Sequence, residues 1–313
     1  MASRTRPFAA FEFLIAWRYL RARRAEGGVS VMTWISLVGI ALGVMALVAT
    51  LAVRAGFRAE FVDTILGANA HVTVYRGSYV DEQGVTTRGM ADFAEVRDRV
   101  AAVPGVTRAA PVVRGQAMVT LNDRSNVAEV YGISLGDLKT IPRVAGSSEA
   151  LGDIERFGEG IAVGSGIARD LGLMVGDKVK LISPSGAKTA FGVSPRVNAY
   201  EVVYIFSAGR WDIDRTRIYM PFTEAQSYFN REGAADEIEI YVADPESVDA
   251  LAMPLLTAGG ENTLIWTWRD ASGAFLNALS IEDDVMFVIL SILVLIAAMN
   301  ITSGLVMLVK NKG

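Results

Sequence analysis

Polar and apolar positions give the chain three textures. Residues 29–53, "VSVMTWISLVGIALGVMALVATLAV", and 285–309, "VMFVILSILVLIAAMNITSGLVMLV", are two runs of 25 residues without a charge. At about 1.5 Å rise per residue each makes a helix of ~37 Å, enough to cross a hydrocarbon core of ~30 Å. Both are predicted to be transmembrane helices. A secretory leader has a much shorter apolar core, about 7–15 residues, so the first run is read as a retained span.

The intervening texture is mixed. "RAGFRAEFVDTILG" places Phe57, Phe61, Ile65 and Leu66 at helical spacing, so the first helix is expected to continue outward until Gly67. "AHVTVYRG" reads as a strand, and "MADFAEVRDRVAAVPGV" sets Phe93, Val96, Val100 and Val103 on one helical face. From about Gly115 the pattern shortens to "QAMVTLND", "AEVYGIS", "GIAVGSGIARDLGLMVGDKVKLI", "NAYEVVYIF" and "TRIYMPF", which predicts a mainly β subdomain over about 115–232. "ADEIEIYVADPESVDALAMPLL" returns to strand and helix, "TLIWTW" adds a strand, and "RDASGAFLNALSIEDD" leads helically into the second span. The fold class is α-helical membrane spans plus an α+β extracytoplasmic domain with a β-rich insertion.

Charge orients this layout. The net charge of -4 conceals a split: residues 1–28 and 310–313 carry +6, whereas residues 54–284 carry -10. Short basic flanks stay in the cytoplasm, so residues 54–284 are expected outside. The leader, 1–28, contains "PFAAFEFLIAWRYLRARR", an aromatic and aliphatic stretch with an arginine-rich end that suits an interfacial helix. A flexible basic leader is the alternative.

Candidate chemistry is sparse. The chain has no cysteine and one histidine, His71, which excludes disulfides and thiolate metal sites and argues against a histidine-rich metal cluster. "SGAKT" lacks the spacing of a phosphate loop, and "VGSGIA" does not match the G-x-S-x-G elbow. His71 is read as an ordinary polar residue at a strand start. The acidic residues repeat no calcium-loop spacing, and are read as a solvated surface. No enzyme, cofactor, metal or nucleic-acid site is expected in this chain. Within the spans, Gly39 and Gly43 form G-x-x-x-G, while Asn300, Thr302, Ser303 and Gly304 bring small and polar groups into the second; both patterns suit helix packing. The partner helices belong to a larger membrane complex, or the two spans pair with each other.

One connection is too long for a plain turn. Residues 183–196, "SPSGAKTAFGVSPR", join the strand "DKVKLI" to "NAYEVVYIF" with fourteen residues where a hairpin needs two to five. Loops of that length without structure of their own are disordered or functional.

Several of these segments together resemble a known family. "WRYLRARR", "SLVGIALGVMALV", "GFRAEFVDTILGANAHV", "LGLMVGDKVKLI", the "TAFGVSPR" loop and "NITSGLVMLVKNKG" resemble, in order, the LolC and LolE permease subunits of the lipoprotein-releasing ABC transporter. That resemblance implies a porter-like α+β subdomain carrying the β-rich insertion, and location in the bacterial inner membrane with a large periplasmic domain. It implies a LolD-like ATPase partner that uses ATP and Mg, a second LolC/LolE-type permease, a LolA-like periplasmic carrier and lipoprotein substrates. It also implies four membrane helices, so the chain reads as the front half of such a permease, with residues 310–313 opening a cytoplasmic coupling segment.

By the same resemblance, residues 183–196 form a hook that docks the carrier. Pro184 and Pro195 would stiffen it, Gly186 and Gly192 would turn it, Phe191 would be an aromatic anchor, Arg196 a charged orienting contact and Lys188 an aid to encounter. Ser185, Thr189 and Val193 complete the loop. Two positions depart from the usual pattern: Ala55 stands where Asn often precedes Gly-Phe, and Ala190 where Pro usually follows Thr. Two alternatives keep the same topology, a MacB-type exporter permease and a two-span sensor with a periplasmic ligand domain.

Overall fold

The computed structural model describes residues 11–15, 27–77, 79–80, 86–87, 89–184, 186, 188–189 and 192–310. Most of the leader and residues 311–313 therefore lie outside the described residues, although 11–15 are helical. The chain divides into two units, Met1–Arg58 with Ala274–Gly313, and Ala59–Gly273.

The first unit holds two long helices, α1 (Gly27–Leu66, which continues into the second unit) and α7 (Gly273–Lys310). Within α1, Leu37, Val38, Leu42, Val44, Met45 and Val48 are all exposed, so the apolar surface runs around the helix and forms no single stripe. A helix apolar all round belongs in a core or a membrane. Residues Leu37–Phe57 and Asp284–Ser303 are long and apolar enough to cross a bilayer. Their hydroxyls close on their own backbone: Thr50 donates to the Ala46 carbonyl, Ser291 to Phe287 and Thr302 to Ala298, at 2.7–2.8 Å.

Among the described residues the second unit holds fourteen strands. Four of them, β1 (Val72–Arg76), the first half of β4 (Val106–Leu121), β13 (Glu237–Val242) and β14 (Thr263–Thr267), form an antiparallel sheet in the order β14-β1-β13-β4. Period-two alternation fixes its faces. Val72 and Val74 lie opposite Ile240 and Ile238, under α2 (Phe93–Ala101) and α6 (Val248–Gly259), with Val96, Val100 and Leu255 buried between. On the other face β13 presents Glu237, Glu239 and Tyr241. The two-residue strands β2 (Tyr79–Val80) and β3 (Thr86–Thr87) pair separately.

Beyond Val112, β4 passes into a different assembly. It pairs with β5 (Arg124–Ile133), β5 with β12 (Arg217–Pro221), β12 with β7 (Ile161–Gly164), β7 with β11 (Arg196–Phe206), and β11 with β8 (Lys178–Ser183), which returns to β4. These six strands close a small barrel, and the short β6 (Leu151–Gly152) adds to β11. Val113, Ala117, Val119, Val130, Ile161, Val179, Leu181, Val202 and Ile218 fill it. Closure removes the exposed edges of these strands.

The barrel also takes three helices, α3 (Ser165–Leu171), α4 (Trp211–Thr216) and α5 (Phe222–Tyr228). The sequence pattern treats residues 161–182 as short strands, but "SGIARDL" is helical, ending at Gly172 with φ 71°. Its apolar Ile167, Ala168 and Leu171 are a helical face, too short a run to register against flanking strands. Gly115 leaves room for the Phe229 ring, into which a Cβ would project.

Candidate functional site

Ser183 and Arg196 stand opposite each other at the end of the β8–β11 pair, and the fourteen-residue connection leaves from there. It has secondary structure of its own: β9 (Lys188–Thr189) and β10 (Gly192–Val193) pair antiparallel, Thr189 with Gly192 and Lys188 with Val193. Pro184 and Pro195 are exposed, whereas Gly186 is buried. A Cβ at Gly186 would run into the Ser194 carbonyl, so the legs cross at a distance only glycine permits. Ser185 and Phe191 lie outside the described residues.

The base of the hook is clamped. Arg196 donates through Nη1 to the Ser227 carbonyl and through Nη2 to Oδ1 of Asn230 at 2.9 Å. Asn230 in turn donates through Nδ2 to the Gly186 carbonyl at 3.3 Å, and holds φ at 55°, a left-handed conformation that asparagine tolerates. Three side-chain hydrogen bonds therefore tie both legs to the end of α5. Arg196 serves first as a fastening for the hook's own base. Asn230 gave no signal in the sequence, because its partners are 34 and 44 residues away.

Gly39 and Gly43 have open space where their Cβ atoms would be. Within the described residues nothing fills that groove. Asn300 and Gly304 fall in α7.

A polar cluster lies on the sheet face that α2 and α6 leave uncovered. Arg217, 8% exposed, donates to the Ala68 carbonyl at 2.7 Å, Asn69 Oδ1 at 2.9 Å, Tyr131 Oη at 3.3 Å and Tyr219 Oη at 3.4 Å. Its guanidinium carbon also stands 4.4 Å from the Tyr131 ring centroid. Glu239 is equally buried, and burial pushes its carboxyl above the usual range against the pull of Arg217, Arg108 and Arg114. Burial pushes Glu237 up to about 7, opposed chiefly by Arg114 at 3.8 Å. The reading of every acid as a solvated surface is thus corrected at these two positions. "EIEIY" alternates as a half-exposed strand does, but its polar face turns toward arginines and tyrosines.

His71 stands just before β1, buried, with Nδ1 accepting the Val242 N–H at 3.0 Å and its ring 4.9 Å from that of Tyr241. Burial lowers its pKa, the Val242 bond acting the other way. The ring is part of the packing. No group of three or more metal-ligating side chains occurs among the described residues.

Among solved structures, the periplasmic region of MacB from Actinobacillus actinomycetemcomitans aligns with a TM-score of 0.43 at 12% identity, covering 68% of this chain and 98% of that one. The family model of the MacB-like periplasmic core domain matches residues 33–257. The lipoprotein-releasing system transmembrane protein LolC of Neisseria meningitidis serogroup B is 30% identical over 312 residues, covering 97% of this chain and 72% of the relative. LolE of Haemophilus influenzae is 26% identical over 306 residues, covering 96% and 71%. The chain belongs to the LolC/LolE family of lipoprotein-releasing system transmembrane proteins and carries a MacB-like periplasmic core domain.

Proposed function

We propose that this chain is a permease subunit of an ABC transporter that extracts lipoproteins from the inner membrane and passes them to a soluble periplasmic carrier. The observation that carries the reading is the 30% identity to a lipoprotein-releasing protein along 97% of the chain. The hook supports the finer part. A hairpin held by a polar clamp, flanked by exposed prolines, loses little entropy on binding and suits a docking element.

The external domain, residues 54–284, is then a porter-like α+β subdomain with a β-rich insertion over about 115–232, and its spans are residues 29–53 and 285–309. ATP is hydrolysed by a separate LolD-like subunit, and the open groove at Gly39 and Gly43 receives a helix from a second permease or from the remainder of the complex. Copurification from detergent with a LolD-like ATPase and a lipoprotein is the expected result for the full-length parent. Docking is tested by calorimetric titration with a LolA-like carrier. Replacing residues 185–194 by a short Gly-Ser turn should abolish binding, and retention of affinity would refute the hook's role. The MacB-like match over residues 33–257 also favours a second reading, an exporter permease; such a protein would copurify with an ATPase but show no carrier affinity.

A further inference from the structure

The polar cluster encloses a cavity of about 250 Å³, lined among others by Asn69, Arg217, Glu239, Trp266 and Ser272. Its three arginines are committed. Arg217 holds Ala68, Asn69 and two tyrosines; Arg114 faces Glu129 at 3.1 Å and Glu237 at 3.8 Å; Arg210 grips Asp212 through two hydrogen bonds of 3.1 and 2.6 Å. Glu239 differs from all of them. It is 8% exposed and lines the cavity, yet no hydrogen bond or ion pair joins its carboxyl group to a described residue. Arg217, Arg108 and Arg114 act on it only through their fields, with Asp137 opposing.

A buried carboxylate without a donor is costly, and because Glu239 lines the cavity a donor can reach it from there. An ammonium group supplies three N–H donors and a full charge. Trp266, half exposed, lines the same cavity, and an indole ring attracts cations. The side chains of Arg114 and Arg210 are 46% and 23% exposed, and each guanidinium has more donors than its carboxylate partners use. These can receive an anionic end. At ~30 Å³ for each water-sized group, the space holds about eight heavy atoms.

We propose that this cavity binds a small aminoalkyl acid, with its ammonium on Glu239 and its carboxylate or phosphate on Arg114 and Arg210. The same chemistry occurs in a free solute such as β-alanine and in the phosphoethanolamine headgroup of a lipid. The site is separate from the hook and does not depend on carrier docking.

The test is calorimetric titration of the full chain in detergent with β-alanine and with O-phosphoethanolamine. At least one should bind saturably, and Glu239→Gln should weaken it tenfold or more while the melting temperature holds. Phosphocholine, which has no N–H donor, should bind the parent at least tenfold more weakly than phosphoethanolamine. Equal binding by Glu239→Gln or by phosphocholine overturns the proposal. If Glu239→Gln does not fold, Trp266→Ala and the phosphocholine comparison decide it, since Trp266 is half exposed. A second arm uses nanodiscs: stabilisation by phosphatidylethanolamine over phosphatidylcholine assigns the lipid headgroup, and heat from the free compounds assigns a soluble ligand. With neither signal at 10 mM ligand, the cavity is not a site.

Discussion

The guanidinium of Arg217 donates to the carbonyl of Ala68 at 2.7 Å, across 149 residues of sequence. Ala68 lies two residues past the end of α1, and Arg217 opens β12 of the barrel. Arg217 thus pins the chain to the sheet where α1 ends. Hydrogen bonds to a charged group are worth roughly 1.5–3 kcal/mol each. Arg217→Ala should lower the unfolding free energy by about 3 kcal/mol or more in a urea titration of the detergent-solubilised chain. Arg217→Lys should recover less than half, because an ammonium lacks the planar fork. A loss below ~1 kcal/mol for Arg217→Ala would refute the pin.

Glu237 makes stability depend on pH. Its folded pKa, about 7, lies above the ordinary glutamate value of 4.5, so the folded state holds the proton more tightly than the unfolded one. The resulting stabilisation is complete below about pH 4.5 and is lost as pH rises through about 7. Glu239, pushed in the same direction, adds to it. His71 works oppositely: its pKa is lowered, so its contribution is present above 6.5 and fades as pH falls. Glu237→Gln should therefore flatten the decline between pH 5 and 7.5 and leave the His71 limb. An unchanged profile would show that Glu237 titrates normally.

Gly186→Ala probes the crossing of the hook's legs. The methyl group would meet the Ser194 carbonyl, so the legs must separate and the hairpin must re-aim. Carrier affinity should fall about tenfold, ~1.4 kcal/mol, with little change in the barrel's melting temperature. Arg196→Ala should act in the same way by releasing Ser227 and Asn230. If Arg196→Ala lowers affinity while hydrogen exchange in residues 183–196 stays as in the parent, Arg196 touches the carrier directly.

Topology follows from the charge split. Asp123 stands in the exposed turn between β4 and β5, and the chain has no native cysteine. In spheroplasts an impermeant thiol reagent should label Asp123→Cys and spare Lys312→Cys. The reverse pattern would invert the assignment.

The two long apolar helices were legible because an unbroken apolar run of 25 residues is far longer than a buried strand, and the α2 face because Val96 and Val100 keep helical spacing. The strands β1, β13 and β14 were legible for the corresponding reason, period-two alternation. Closure of the barrel was not. It depends on β8 meeting β4 at Met118–Thr120, a pairing between segments about 60 residues apart. The hairpin in the hook escaped because strands of two residues have no period to detect. The Glu239 cavity escaped because alternation reports that a side chain leaves the core face, without saying what it meets on the other side.

A single strand belongs to both halves of the external domain. β4 has 16 residues, about 50 Å of extended chain; it pairs with β13 through Val106–Val112 and with β5 and β8 beyond. The halves therefore behave as two bodies welded to one girder. A load on the hook enters β8 and β11, crosses to β4 at Met118, and runs along the strand to the β13 ladder. Along that axis many hydrogen bonds share the load at once, whereas a sideways pull would peel them one by one. A pull along β4 should therefore meet more resistance than one across it.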